Sequence, residues 1–156
     1  MPSRRDLIRM TDAEVRAYLA SQRRIILVTN GADGMPLPLP MNFGMDDQGR
    51  FLISSFRKTQ KVRNIERDPR ATLLVESGDH YHELKSVVAW CNVELIDDPA
   101  QIRALMSVMR GGEPLTATMS EQAAAQVEAS IAKRVILRFT PYRMISWDHA
   151  KLGDRY

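Results

Sequence analysis

Prolines at every second position constrain this chain more than any other feature. In Met35-Pro-Leu-Pro-Leu-Pro-Met-Asn-Phe43, Pro36, Pro38 and Pro40 alternate. Alternate residues of an extended strand point their N–H groups the same way, and proline has none to give. One side of the segment therefore cannot donate to a sheet ladder, which confines it to an edge or irregularly paired strand. Leu37, Leu39, Met41 and Phe43 share the opposite face and are expected to turn inward.

The neighbouring segments supply a sheet for that edge. Arg24-Ile-Ile-Leu-Val-Thr29 is β-branched and apolar, which predicts a strand buried on both faces. Asn30-Gly-Ala-Asp-Gly34 is a turn, so the proline segment folds back antiparallel. A second turn, Asp46-Asp-Gln-Gly49, leads into Phe51-Leu-Ile53, a short buried strand that Ser54 and Ser55 end. Ala71-Thr-Leu-Leu-Val-Glu76 is a further strand. From Ser86 to Asp97 the period of two is clearest: Val87, Ala89, Cys91, Val93 and Leu95 lie on one face, Asn92 and Glu94 on the other. The last strand runs through Arg134-Val-Ile-Leu-Arg-Phe139, with an expected break at Thr140-Pro141 before it resumes through Ile145-Ser-Trp147.

Helices flank this sheet. Thr11-Asp-Ala-Glu14 is a capping box with Val15, Tyr18 and Leu19 at helical spacing behind it, which predicts a helix from about 11 to 22. Ile102, Leu105, Met106 and Met109 mark another, ended by Gly111-Gly112, and a third spans about 119 to 132. Strands joined by tight turns predict a mainly β fold with flanking helices, in which six antiparallel strands close into a small barrel. All 156 residues read as a single domain: barrel strands at about 24–97, helices at about 98–132, and a final strand and tail at 133–156.

The chemistry gathers where the third strand meets a short helix. From Thr59 a helix can start, with Val62 and Ile65 on its inner face, and Asp68-Pro69 stops it. Arg57, Lys58, Lys61 and Arg63 stand around its start. The first turn of a helix leaves N–H groups unpaired and carries partial positive charge. Strand-end hydroxyls, such N–H groups and lysines converging at one point make a phosphate site. The alternative is a solvated basic helix face.

Other function classes find little support. The longest apolar run, Ile25-Ile-Leu-Val28, is far short of a membrane span, and no signal peptide is visible behind Met1. A single cysteine excludes an internal disulfide and suits a reducing cytoplasm. A net charge of +3 permits an anionic ligand but is weak support for nucleic acid. No glycine-rich nucleotide loop and no serine-hydrolase elbow is present. His80 and His82 would share one strand face, but His149 and Cys91 are distant in sequence, so solvated rim histidines are the better reading than a metal site. Cys91 lies in the apolar series of its strand and reads as a small core residue. Trp90 and Trp147 sit near strand positions where a flat ring could rest on a planar cofactor.

Three stretches in register resemble a known family. Thr59-Gln-Lys-Val-Arg-Asn-Ile-Glu-Arg-Asp-Pro-Arg-Ala-Thr-Leu-Leu-Val75 is similar to the signature of the pyridoxamine-phosphate-oxidase-like split-barrel proteins. Glu76-Ser-Gly-Asp-His-Tyr-His-Glu-Leu-Lys-Ser-Val-Val88 resembles the hairpin that follows it. Arg143-Met-Ile-Ser-Trp-Asp-His-Ala-Lys-Leu-Gly153 resembles the carboxy-terminal ending of one flavin/deazaflavin oxidoreductase branch, whose better-known members use coenzyme F420.

The resemblance implies a six-stranded split barrel, a homodimer and cofactor sites at the dimer interface. It places Ser54 and Ser55 at the strand end that touches phosphate or ribityl oxygens, and Thr59, Gln60 and Lys61 at the phosphate-binding helix start, with Arg57 and Lys58 beside them. Trp147 and Lys151 match the terminal residues that approach ring or substrate, and Trp90 is a looser match. The implied activity is F420-dependent hydride transfer with a small planar or conjugated substrate, with no side chain required as acid or base. The alternatives are an FMN-binding flavin reductase or oxidase on the same barrel, or a non-enzymatic carrier of either cofactor. Pyridoxamine phosphate oxidases proper have arginine where this chain has Gln60, and a phosphate-gripping arginine where it has prolines, so that oxidation is not expected.

Overall fold

The computed structural model describes residues 3–116 and 118–153. Helices α1 (Arg4–Ile8) and α2 (Asp12–Ser21) lead into strands β1 (Arg24–Asn30), β2 (Pro36–Asn42), β3 (Gly44–Met45) and β4 (Phe51–Phe56). Next come α3 (Gln60–Arg67), β5 (Arg70–Ser77) and β6 (Lys85–Ile96), then α4 (Pro99–Met109), α5 (Glu121–Ile131) and β7 (Arg134–Asp148). Short 3-10 turns occupy Tyr81–Glu83 and His149–Leu152.

All seven strands belong to one antiparallel sheet in the order β2-β1-β5-β6-β7-β4-β3. The proline strand is an edge, as its missing N–H groups demand. The two edges of this sheet are neighbours in the chain, linked through Phe43, so the sheet has to curl until they approach each other. A mainly β split barrel results. It has seven strands where six were expected, because Gly44 and Met45 pair with Leu52 and Phe51 after the bend at Phe43.

Three local expectations need correction. β1 is not buried on both faces: Ile25, Leu27 and Thr29 are buried, while Ile26 and Val28 on the outer face are half-buried. β7 does not break at Pro141. Trp90 pairs with Arg143 and Cys91 with Pro141, so Tyr142 is an extra residue, and this bulge absorbs the proline and lets the ladder resume. His80 and His82 do not share a strand face, because the segment turns as a 3-10 helix; their rings stack 5.8 Å apart.

Two clusters make the core. Alternate residues of β1, β4, β5, β6 and β7 fill the barrel, among them Leu27, Ile53, Leu73, Val87, Cys91 and Leu137. On the outside of β4 and β7, Leu52 and Ile136 pack with Ile96, Ile102, Leu115 and Ile131 beneath α4 and α5. α3 closes one end of the barrel through Val62, Asn64 and Ile65, with the Asn64 amide donating to Thr29 Oγ1 at 3.0 Å. α2 closes the other end. Its Tyr18 hydroxyl lies 2.9 Å from Ser77 Oγ and donates to the Lys85 carbonyl at 3.0 Å. No helix among the described residues is long and apolar enough to cross a membrane.

Candidate functional site

The start of α3 differs from that of the other helices. Ser3, Thr11, Asp98 and Ser120 each accept a bond from a first-turn N–H of α1, α2, α4 and α5. Thr59, in the corresponding place for α3, makes no such bond, and the first turn holds no acidic residue. Its hydroxyl instead donates to the Phe56 carbonyl at 3.1 Å and lies 3.3 Å from Ser55 Oγ. The helix dipole and the free N–H groups of that turn therefore meet no side-chain cap among the described residues.

Beside this turn stands Lys61. Its side chain is half-buried, and it makes no hydrogen bond or ion pair among the described residues. Burial pushes its pKa below the ordinary lysine value, with no neighbouring charge to oppose the shift. Lys58 is exposed and equally unpartnered. Arg57 is the paired member of the group, with Asp97 at 3.5 Å.

The remaining predicted residues divide between contacts inside the protein and a distant location. Ser55 is buried and donates to the Phe56 carbonyl at 3.1 Å. Ser54 accepts from Arg134 at 3.2 Å. Gln60 donates to Asn64 Oδ1 at 2.9 Å, so its side chain steadies the helix. Trp90 lies on the outer face of β6, with the Arg143 guanidinium 4.7 Å from its ring centre. Trp147 and Lys151 are at the opposite end of the barrel from α3. Ser54 pairs with Ile136 and Trp147 with Ser86, positions separated by on the order of 30 Å along the ribbon. Lys151 donates to the Glu14 carboxylate at 2.6 Å and to the Arg9 carbonyl at 2.8 Å. One chain thus brings Ser54, Ser55 and residues 57–61 together, and leaves Trp147 and Lys151 away from them.

Two residues of this neighbourhood are not among the predicted site residues. Arg134 stacks 4.2 Å from the Phe56 ring centre and adds a cation at the end of β4, placed there only by the β4–β7 register. Asn64 is buried at the hub formed by Thr29, Gln60 and Arg67. Its signal in the sequence is its place three residues after Lys61 in the family-like stretch Thr59–Val75. Cys91 is the core residue its strand pattern implies: burial pushes its thiol up to about 12, so it stays neutral and unreactive near neutral pH.

Comparison with known proteins agrees with this architecture. Residues 11–148 match the family model described as pyridoxamine 5'-phosphate oxidase. A conserved hypothetical protein from Mycobacterium tuberculosis is 31% identical, with 97% of this chain and 93% of that one covered at a TM-score of 0.82. An F420 reductase is 23% identical over 83% of this chain and 94% of its own, at a TM-score of 0.60. A FAD-binding protein from Mesorhizobium loti is 17% identical over 88% and 92%, at 0.65. Those last two likenesses show the fold alone. Among curated protein sequences nothing matches.

Proposed function

Because the chain belongs to the pyridoxamine 5'-phosphate oxidase family, we propose that it holds a flavin-type cofactor by its phosphate at the start of α3. We further propose that it is an F420-dependent oxidoreductase, acting on a small planar or conjugated substrate. The observation that carries this reading is Lys61, a half-buried cation with no counter-charge among the described residues, beside a helix start with no side-chain cap. A phosphate supplies both missing partners at once.

When bound, a deazaflavin ring supplies the hydride chemistry, and the protein supplies binding, orientation and exclusion of water. Lys61 and the first-turn N–H groups hold the phosphate. Lys58 and Arg57 extend the positive surface outward. As a point charge on a flexible stem, Lys58 can follow an acidic tail without fixed geometry, which favours F420 over FMN.

A second copy of the chain completes the proposed site. On the outer face, Pro40, Ile26, Leu74, Val88 and Ile145 are register partners in a row across five strands, with Trp147 two residues further along β7. Its four non-proline members are half-buried, and α4 and α5 cover a different part of the sheet. An apolar row of this kind suits a homodimer interface. Since Trp147 and Lys61 lie at opposite ends of one chain, a site using both takes one from each protomer.

The test is a calorimetric titration of purified protein with F420 and, separately, FMN, after recording its absorbance as isolated. Tighter F420 binding, with turnover of reduced F420 by quinones or enones, is the expected result. Tighter FMN binding moves the activity to a flavin reductase or oxidase. Tight binding without turnover makes the protein a carrier, and binding of neither removes the ligand from α3.

A further inference from the structure

The main-chain hydrogen bonds on either side of the bend at Phe43 fix which way the prolines of β2 face. In an antiparallel pair, sites that exchange main-chain bonds alternate with sites that do not. The Phe43 N–H donates to the Arg23 carbonyl at 3.3 Å, and the Gly31 N–H to the Met35 carbonyl at 2.9 Å. The odd-numbered residues from Met35 to Phe43 therefore bond to β1, and Pro36, Pro38, Pro40 and Asn42 turn their main chain away from it. Past the bend, Gly44 and Met45 pair with β4, and the Asp46 N–H donates to the Arg50 carbonyl at 3.0 Å. By the same alternation Gly44 and Leu52 occupy a bonding site. Carried back through the bend, that register sets Asn42 opposite Ser54 and Pro40 opposite Phe56, both at bonding sites.

Among the described residues no ladder joins β2 to β4, although the two strands approach each other and Asn42 and Ser54 line the same gap. The main chain of β4 is turned toward that gap. The Arg57 N–H donates to the Lys133 carbonyl at 2.9 Å, so Ile53 and Ser55 bond to β7 while Ser54 and Phe56 point toward β2. The Phe56 carbonyl is taken by the Ser55 and Thr59 hydroxyls, each at 3.1 Å. Pro40 has no N–H to offer it, and its ring stands where the amide hydrogen would be. Pro38 and Pro36 would face Lys58 and Gln60, past the end of β4.

We propose that Pro40 is a wedge that holds the barrel split open between β2 and β4. It prevents a ladder whose paired bonds with Phe56 would draw Asn42 onto Ser54 and close the gap. A carbonyl oxygen has two lone pairs, so a ladder bond to Phe56 would also displace one of the hydroxyls of Ser55 and Thr59. The consequence for binding rests on the cofactor reading above: the open split keeps the segment from Ser54 to Thr59, which leads to the start of α3, within reach of a ligand.

Pro40→Val returns the missing N–H and keeps the site apolar, and Pro36→Val does the same where β4 offers no partner. In NMR of the full-length variants, the new amide at position 40 should exchange with deuterium roughly tenfold more slowly than the new amide at position 36. It should also show a coupling through the hydrogen bond to the Phe56 carbonyl. In calorimetric titrations with F420 and with FMN, the cofactor that the unmodified protein binds should bind roughly tenfold more weakly to Pro40→Val and equally well to Pro36→Val. Exchange at position 40 as fast as at position 36, without the coupling, would overturn the proposal. So would a ladder that forms and leaves the affinity unchanged. The exchange readout needs no cofactor, so the wedge and the α3 reading fail separately.

Discussion

At the end of the barrel closed by α2, Lys151 lies 2.6 Å from the Glu14 carboxylate, and Lys85 lies 2.8 Å from Asp148. The Thr11 hydroxyl caps the helix above them. At the end closed by α3, Lys61 is half-buried and Lys58 exposed, neither with a partner among the described residues, and Thr59 leaves the helix start uncapped. Both ends carry lysines near a helix start, so residue type does not distinguish them; pairing does. Taking a cation out of water costs free energy unless something answers the charge. In the proposed reading, the end that keeps such a cation without an internal answer is the one arranged for an outside anion.

That contrast breaks first at Lys61. Lys61→Ala is expected to weaken cofactor binding by about 1.5–3 kcal/mol, the range for a hydrogen bond to a charged group, with the melting temperature of the free protein no lower than before. Calorimetry showing equal affinity would take the phosphate away from α3. Asn64→Ala tests the scaffold beneath it. The variant leaves the fully buried Thr29 hydroxyl without its donor, and urea unfolding should show about 1–3 kcal/mol less stability. An unchanged midpoint would mean that the buried hub does not hold α3 in place.

Smaller effects belong to the other end. Lys151→Ala should cost little stability, as exposed ion pairs do, and leave cofactor affinity untouched. A drop in affinity would show that Lys151 leaves Glu14 for the ligand. Smaller still is a pH effect at the same pair. The bond from Lys151, followed by that from the Thr11 N–H, holds the Glu14 carboxyl at about 2 against an ordinary 4.5. A depressed carboxylate pKa contributes stability that is full above pH 4.5 and fades as pH falls toward 2. Glu14→Gln should flatten that part of the stability curve, and an unchanged curve would mean that the pair does not form in solution.

What the sequence made legible was local chemistry. Missing N–H groups at Pro36, Pro38 and Pro40 are enough to place an edge strand, and the two-residue period of β6 is enough to give its inner face. The helix start at Thr59 follows from Val62, Ile65 and the stop at Asp68-Pro69. What stayed hidden depends on residues far apart in the chain. The bulge at Tyr142 and the stacking of Arg134 on Phe56 come from strand register. Lys151 meets Glu14 only because α2 and the last 3-10 turn share one end of the barrel. Thr59 and Gln60 have the residue types of a phosphate loop, yet their side chains bond to Phe56 and Asn64. Types and spacing showed where cations gather, and only geometry showed which of them stay unanswered.

The most direct test is an NMR titration of the Lys61 ammonium group, first in the free protein and then with F420 or FMN present. A half-buried cation awaiting an anion should titrate below the ordinary lysine value when alone, and its pKa should rise once a phosphate sits beside it. An ordinary pKa in the free protein that neither cofactor moves would contradict the account.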